Sequence, residues 1–226
     1  MSILIAGAGS GLPSRGHRIP AGAPGLSMLP GAADIPDPEA VLAHQVLTTV
    51  LWMSRRTARI AEGPYDTSVD AAGRKALQAA AAKLAKHPEK LLEKVNAGGL
   101  TQQDFDVKAR VLARAIWRME GALAIDDPLS AVDVETEAGS PPAGDPLTND
   151  DAMNDLLAQI YQHLAGQTIP VAVTRDRKMY VVRAGNAEMG SVALARRTRL
   201  SDARGIADTV GRTMREVSKF HRRYHS

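Results

Sequence analysis

Apolar residues recur at helical spacing through the first half of the chain. Leu42, Val46, Val50, Met53 and Ile60 predict a helix from about Asp37 to Ala61, with Asp37 as its cap and Pro38 in the first turn. A second helix is expected over Ser68–Val95, with Ser68 as cap and Leu77, Ala81, Leu84, Leu91, Leu92 and Val95 on one face. Its centre, Ala79-Ala80-Ala81-Ala82, is small enough for another helix to approach closely. Asn96-Ala97-Gly98-Gly99 should stop it. Thr101-Gln102-Gln103-Asp104 then resembles a capping box, followed by a stripe of Phe105, Val111, Leu112, Ile116, Met119 and Leu123. Short connections between three amphipathic helices predict a bundle over residues 38–125.

The pattern changes further along. A helix is expected from about Asn149 to Ala165, then strands over Ile169–Thr174 and Lys178–Arg183 with Arg175-Asp176-Arg177 as the hairpin turn. Ser191–Leu200 fits either a third strand or the start of a helix. A last helix follows Ser201, with Ile206, Val210, Met214 (or Thr213), Val217, Phe220 and Tyr224 about three and four apart. The fold class is therefore mainly α with a small α+β part at the C-terminal end, a helix–β-hairpin(–strand)–helix unit over 149–226. This order resembles that of double-stranded-RNA-binding domains in topology only. Where those domains start their last helix with lysines, this chain has Ser201-Asp202-Ala203-Arg204, so no residue role follows.

Two segments lack such periodicity. Residues 1–37 are dense in Gly and Pro and are expected to form a flexible arm without a core of its own. Residues 126–148 contain Ser140-Pro141-Pro142-Ala143-Gly144-Asp145-Pro146 and are expected to be an acidic linker between the two units.

Composition narrows the chemistry. Aromatics make up only 4% of the 226 residues, so the core must rest on aliphatic side chains, which favours helix packing. Cysteine is absent, which excludes disulfides, thiolate metal sites and cysteine nucleophiles. The apolar run Val46–Met53, closed by Ser54-Arg55-Arg56, falls short of the roughly 20 apolar residues of a membrane span. The N-terminus also lacks the basic region of a secretory signal. The expected setting is the cytoplasm or a particle assembled inside the cell.

Charge is sorted along the chain, although the net value is only +3. No Lys or Arg occurs between Met119 and Thr174, a stretch holding Glu120, Asp126, Asp127, Asp133, Glu135, Glu137, Asp145, Asp150, Asp151 and Asp155. Beyond it the sign reverses. Arg175, Arg177, Lys178, Arg196, Arg197, Arg199, Arg212, Lys219, Arg222 and Arg223 are the candidate polyanion-binding residues. The competing expectations are a solvated face and pairing with the acidic stretch.

Motif chemistry is sparse. Ile3-Leu4-Ile5-Ala6-Gly7-Ala8-Gly9 resembles a strand entering a dinucleotide loop, but Leu12 stands where the third glycine is needed and Pro13 follows. His221 and His225 share a helix face, yet Lys219, Arg222 and Arg223 around them oppose a cation, so a cationic helix end is expected. His44, His87 and His163 stand singly and are expected to be partly exposed or hydrogen-bonded. Asp150, Asp151 and Asp155 suit the first turn of a helix capped by Asn149 better than a carboxylate pair. No catalytic, cofactor or metal residue is therefore assigned. The expectation is a non-enzymatic assembly protein, such as a component of a phage particle or bacterial machine, acting through its arm and its basic C-terminal helix. Partners would be another protein or a second copy. The alternative is a nucleic-acid-binding module centred on 175–223.

Overall fold

The computed structural model describes residues 36–62, 70–123 and 144–224. These form six helices and a three-stranded antiparallel sheet, so the protein is mainly α with a small α+β part, as the periodicity implies. The arm, most of the acidic linker and the Gly7/Gly9 segment lie outside the described residues. No described helix is long and apolar enough to cross a membrane.

Helix α1 (Pro38–Glu62) is central. Asp37 caps it by accepting the Glu39 amide at 3.0 Å. Its run Val46-Leu47-Thr48-Thr49-Val50-Leu51 is apolar or weakly polar on every side and buried throughout, as a helix packed on several faces requires. Helix α1 lies against helices from the first half of the chain and against the sheet and both helices of the second. Buried side chains from all of these make one apolar cluster, including Leu47, Met53, Leu92, Ile116, Leu156, Val182 and Met214.

The single helix expected over Ser68–Val95 is two, α2 (Ala71–Leu84) and α3 (His87–Asn96). Pro88 accounts for the break. It has no amide to give to Leu84, four residues back, and its ring would crowd that carbonyl. The bundle part thus has four helices where three are expected. The cap of α2 is Asp70, which accepts the Gly73 amide at 2.6 Å, while Ser68 lies outside the described residues. The stop is as expected. Gly98 takes φ of 72°, and the Gly98 and Gly99 amides return to Val95 and Lys94 carbonyls, both at 3.0 Å. Helix α4 (Gln102–Leu123) starts with the expected reciprocal box, because the Asp104 amide donates to Thr101 Oγ1 (3.1 Å) and the Thr101 amide to Asp104 Oδ2 (3.2 Å). Val111, expected on its buried stripe, is instead 62% exposed.

After helix α5 (Asp150–Ala165) come β1 (Val171–Asp176), β2 (Met179–Asn186) and β3 (Gly190–Arg197), in that spatial order. The segment that fitted either strand or helix is therefore a strand. The first turn is the two residues Arg177-Lys178 where Arg175-Asp176-Arg177 is expected, because Arg175 and Asp176 still pair with Tyr180 and Met179. A bulge leaves Leu194 opposite no single partner, between pairs Val182–Ala195 and Arg183–Ala193. Gly190, at φ 90°, sets the sheet corner directly on α1. A Cβ there would run into the Leu51 carbonyl oxygen, so the approach needs glycine.

Helix α6 (Leu200–Tyr224) crosses the sheet and buries Ala203, Ile206, Val210, Met214 and Val217. Its apolar face is used up in the fold. What remains outward is chiefly polar and basic, with Tyr224 39% exposed at its end.

Candidate functional site

Three arrangements bear on function: a buried polar chain, a basic end of the sheet, and an apolar groove.

The buried chain joins α1, α5 and α6. His44 is fully buried, with Nε2 3.0 Å from Ser218 Oγ and Nδ1 3.4 Å from Tyr161 Oη. Ser218, also fully buried, donates to the Gln167 carbonyl at 2.8 Å. A hydroxyl has one proton. Ser218 must therefore accept from His44 Nε2–H, leaving Nδ1 as an acceptor. Thr48 Oγ1 also lies 3.5 Å from Nδ1, and Tyr161 Oη lies 3.0 Å from His221 Nε2, so the single phenol proton goes either to His44 or to His221. The polar contacts form one continuous chain, from His221 through Tyr161, His44 and Ser218 to a backbone carbonyl. Burial, with the His221 charge adding to it, lowers the His44 pKa to about 4. Burial also raises the Tyr161 phenol to about 12. The Ser–His pair points the wrong way for nucleophilic attack, since the serine proton is held by a carbonyl and Oγ has no open side. The network is a polar staple between helices. One local hint of it exists in the chain, His44 and Thr48 lying on the same face of an otherwise apolar helix.

Of the other single histidines, His87 and His163 are exposed. His221 Nε2 faces Tyr161, and His225 lies outside the described residues. Among the described residues no group of three or more His, Asp or Glu is arranged to hold a metal.

Asn149 caps α5 as expected, accepting the Asp151 and Ala152 amides at 2.8 and 3.3 Å. Asp150 meets Arg114 at 2.7 Å and Arg110 at 3.9 Å, and the Arg114 hydrogen bond, ahead of the charges of both arginines, holds its carboxyl below the ordinary range. Arg114 and Arg118 also donate to the Pro146 and Leu147 carbonyls. This acidic start of α5 therefore pairs with α4 and not with the basic C-terminal part.

The basic candidates divide in two. Arg175 stands near the end of β1, Arg177 and Lys178 form the β1–β2 turn, and Arg196, Arg197 and Arg199 leave β3 at the same end of the sheet. Arg175, Tyr180 and Arg197 stand in one register row across the three strands. Asp176 reaches Arg196 at 3.3 Å. Arg222 is instead bonded to the Gly166 carbonyl (2.7 Å) and Thr168 (3.2 Å), at the far end of the sheet. Helix α6 has 25 residues, which at about 1.5 Å each carries Arg222 and Arg223 over 30 Å from Arg199. Lys219 lies near that far end and Arg212 between the two.

The groove lies between α3 and α4. It has a volume of about 670 Å³, with Leu84, Leu91 and Leu112 among its lining. Val107 and Val111 on its α4 side are 44% and 62% exposed. Lys90, Lys94 and His87 stand on the α3 side and Lys108 on the α4 side. Sequence reasoning missed it, because it exists only once the second helix has broken at Pro88.

No protein-family model, curated protein or solved structure matches the chain.

Proposed function

We propose that this chain is a non-enzymatic assembly protein, a structural component of a larger particle or machine that binds another protein through its surface. The observation that carries the reading is the groove between α3 and α4. Two valines, 44% and 62% exposed beside a leucine floor, make a face that burial against a partner would stabilise. The reading is supported by the fate of the buried polar groups, which hold helices to one another. It is also narrowed relative to the expectation from sequence, since the basic C-terminal helix spends most of its apolar face within the fold. Sedimentation velocity on material purified natively from its source tests it. The expected result is a species well above the 24.0 kDa of one chain at physiological salt. A 24.0 kDa monomer at every concentration, in crude native extract as well as after purification, would remove it.

A second reading, polyanion binding, rests on the six basic residues gathered at one end of the sheet, with Asp176 the one acid of the same turn. Replacing Arg196, Arg197 and Arg199 together with Gln is expected to weaken binding to any DNA or RNA sequence alike. The slope of log affinity against log salt should shrink by about 1 for each phosphate no longer neutralised. Failure of the full chain to bind heparin or shift a labelled duplex at low salt excludes this reading.

A further inference from the structure

We propose that the α3–α4 groove is a docking site for an amphipathic helix of a partner protein, one whose apolar stripe is flanked by acidic residues. This rests on the reading of the chain as an assembly protein and names the chemistry of its partner. Length comes first. The groove follows α3 from His87 to Lys94 and α4 from Val107 to Ala115, which at about 1.5 Å per residue is some 10–12 Å. Side chains at i, i+3 or i+4, and i+7 of a helix span that same distance, so one apolar face of two turns fills it.

The walls decide between a helix and an extended segment. Both are helices, and beyond the first turn of α3 their backbone groups along the groove are bonded within α3 and α4. An extended peptide would lay its own N–H and C=O groups on an apolar floor with no backbone partner, which is costly. A helix arrives with those groups satisfied.

Charge then selects the flanks. Lys90 and Lys94 on one wall and Lys108 on the other face the opening, and no carboxylate of the described residues lines it. Glu or Asp on either side of the partner's stripe would meet them, whereas lysines there would be repelled.

The probe is a fluorescein-labelled synthetic helix of about 14 residues, with leucines at i, i+3 and i+7 and glutamates on both flanks. Its anisotropy is followed on adding the full chain. Saturable binding is expected, about tenfold weaker with Val111→Asp and several-fold weaker with Lys90→Glu/Lys108→Glu. Val111 is solvent-exposed, and an unchanged circular dichroism spectrum confirms that the variant folds. Equal binding by Val111→Asp, by a peptide with lysine flanks, or by one with serines for leucines overturns the proposal. So does binding that emerges only when Asp126, Asp127, Asp133, Glu135 and Glu137 are neutralised, because the chain's own acidic stretch then competes for the site. A native assembly that survives Val111→Asp while the peptide never binds would sink this proposal and leave the assembly reading standing.

Discussion

Glu120→Ala is expected to destabilise the protein by about 3–5 kcal/mol, enough to consume much of a domain's stability. Arg56 of α1 donates from Nη2 to Oε2 of Glu120 on α4 at 2.7 Å, and its Nε lies 2.7 Å from Oε1 as a charge contact outside hydrogen-bond geometry. Their side chains are 7% and 10% exposed, and the Arg56 guanidinium lies 5.7 Å from the centre of the Trp52 ring. The alanine variant strips a buried cation of the carboxylate that matches its geometry, while the cost of holding that cation away from water stays. The pair itself contributes far less than its rupture removes. Replacing both residues, as in Arg56→Met/Glu120→Leu, takes away the desolvation cost along with the attraction, and should leave stability near wild type or above it. Chemical denaturation of the two single variants and the double variant measures this directly. A loss below about 1 kcal/mol for Glu120→Ala would show that the pair is reached by water and works as a surface bridge.

That pair shows where reading the sequence stops. Ser54-Arg55-Arg56 marks the end of an apolar run, which suggests solvent, yet Arg56 is buried because its partner arrives 64 residues later. Local signals survived folding well. The Asp37, Thr101 and Asn149 caps, the glycine stop at Gly98 and the hairpin are each settled by residues within a few positions of one another. Pro88 is equally local, and it breaks a helix whose apolar stripe runs on unbroken on both sides of it. Long-range pairings left little trace. His44 and Ser218 are 174 residues apart, and nothing near either reveals the other. The sorted charges were legible as an inventory but not as a surface. Antiparallel pairing brings Arg175 and Arg197 to one register row, whereas the rise of α6 carries Arg222 and Arg223 away. The groove depends on the angle between α3 and α4, which periodicity does not encode. Val111 therefore read as core.

The second large effect is on pH. His44 is neutral in the folded protein, its pKa lowered from the ordinary 6.5 to about 4 by burial and by the His221 charge. Between these values the unfolded chain takes up a proton that the folded one refuses, so acid favours unfolding. The contribution of neutral His44 is complete above pH 6.5 and lost progressively as pH falls toward 4. The full change amounts to about 3 kcal/mol, with a limiting slope near 1.4 kcal/mol per pH unit. The groups facing the imidazole offer no relief. Thr48, Tyr161 and Ser218 are uncharged hydroxyls, and His221 is itself a potential cation. Protonation at Nδ1 would also turn the acceptor that faces the Tyr161 and Thr48 hydroxyls into a donor. Asp104 and Asp150, held below 3.8 by Thr101 and Arg114 hydrogen bonds, lose their contributions only at lower pH. Asp106, raised by burial, takes up its proton more readily folded than unfolded and so opposes the fall. Of these four groups, His44 is the one whose contribution is lost between pH 6.5 and 4. Denaturation midpoints between pH 7.5 and 4 should fall steeply for the native chain. His44→Gln should start lower at neutral pH and lose most of that slope. Parallel curves for the two proteins would place the acid sensitivity elsewhere and mean that His44 reaches water before the fold opens.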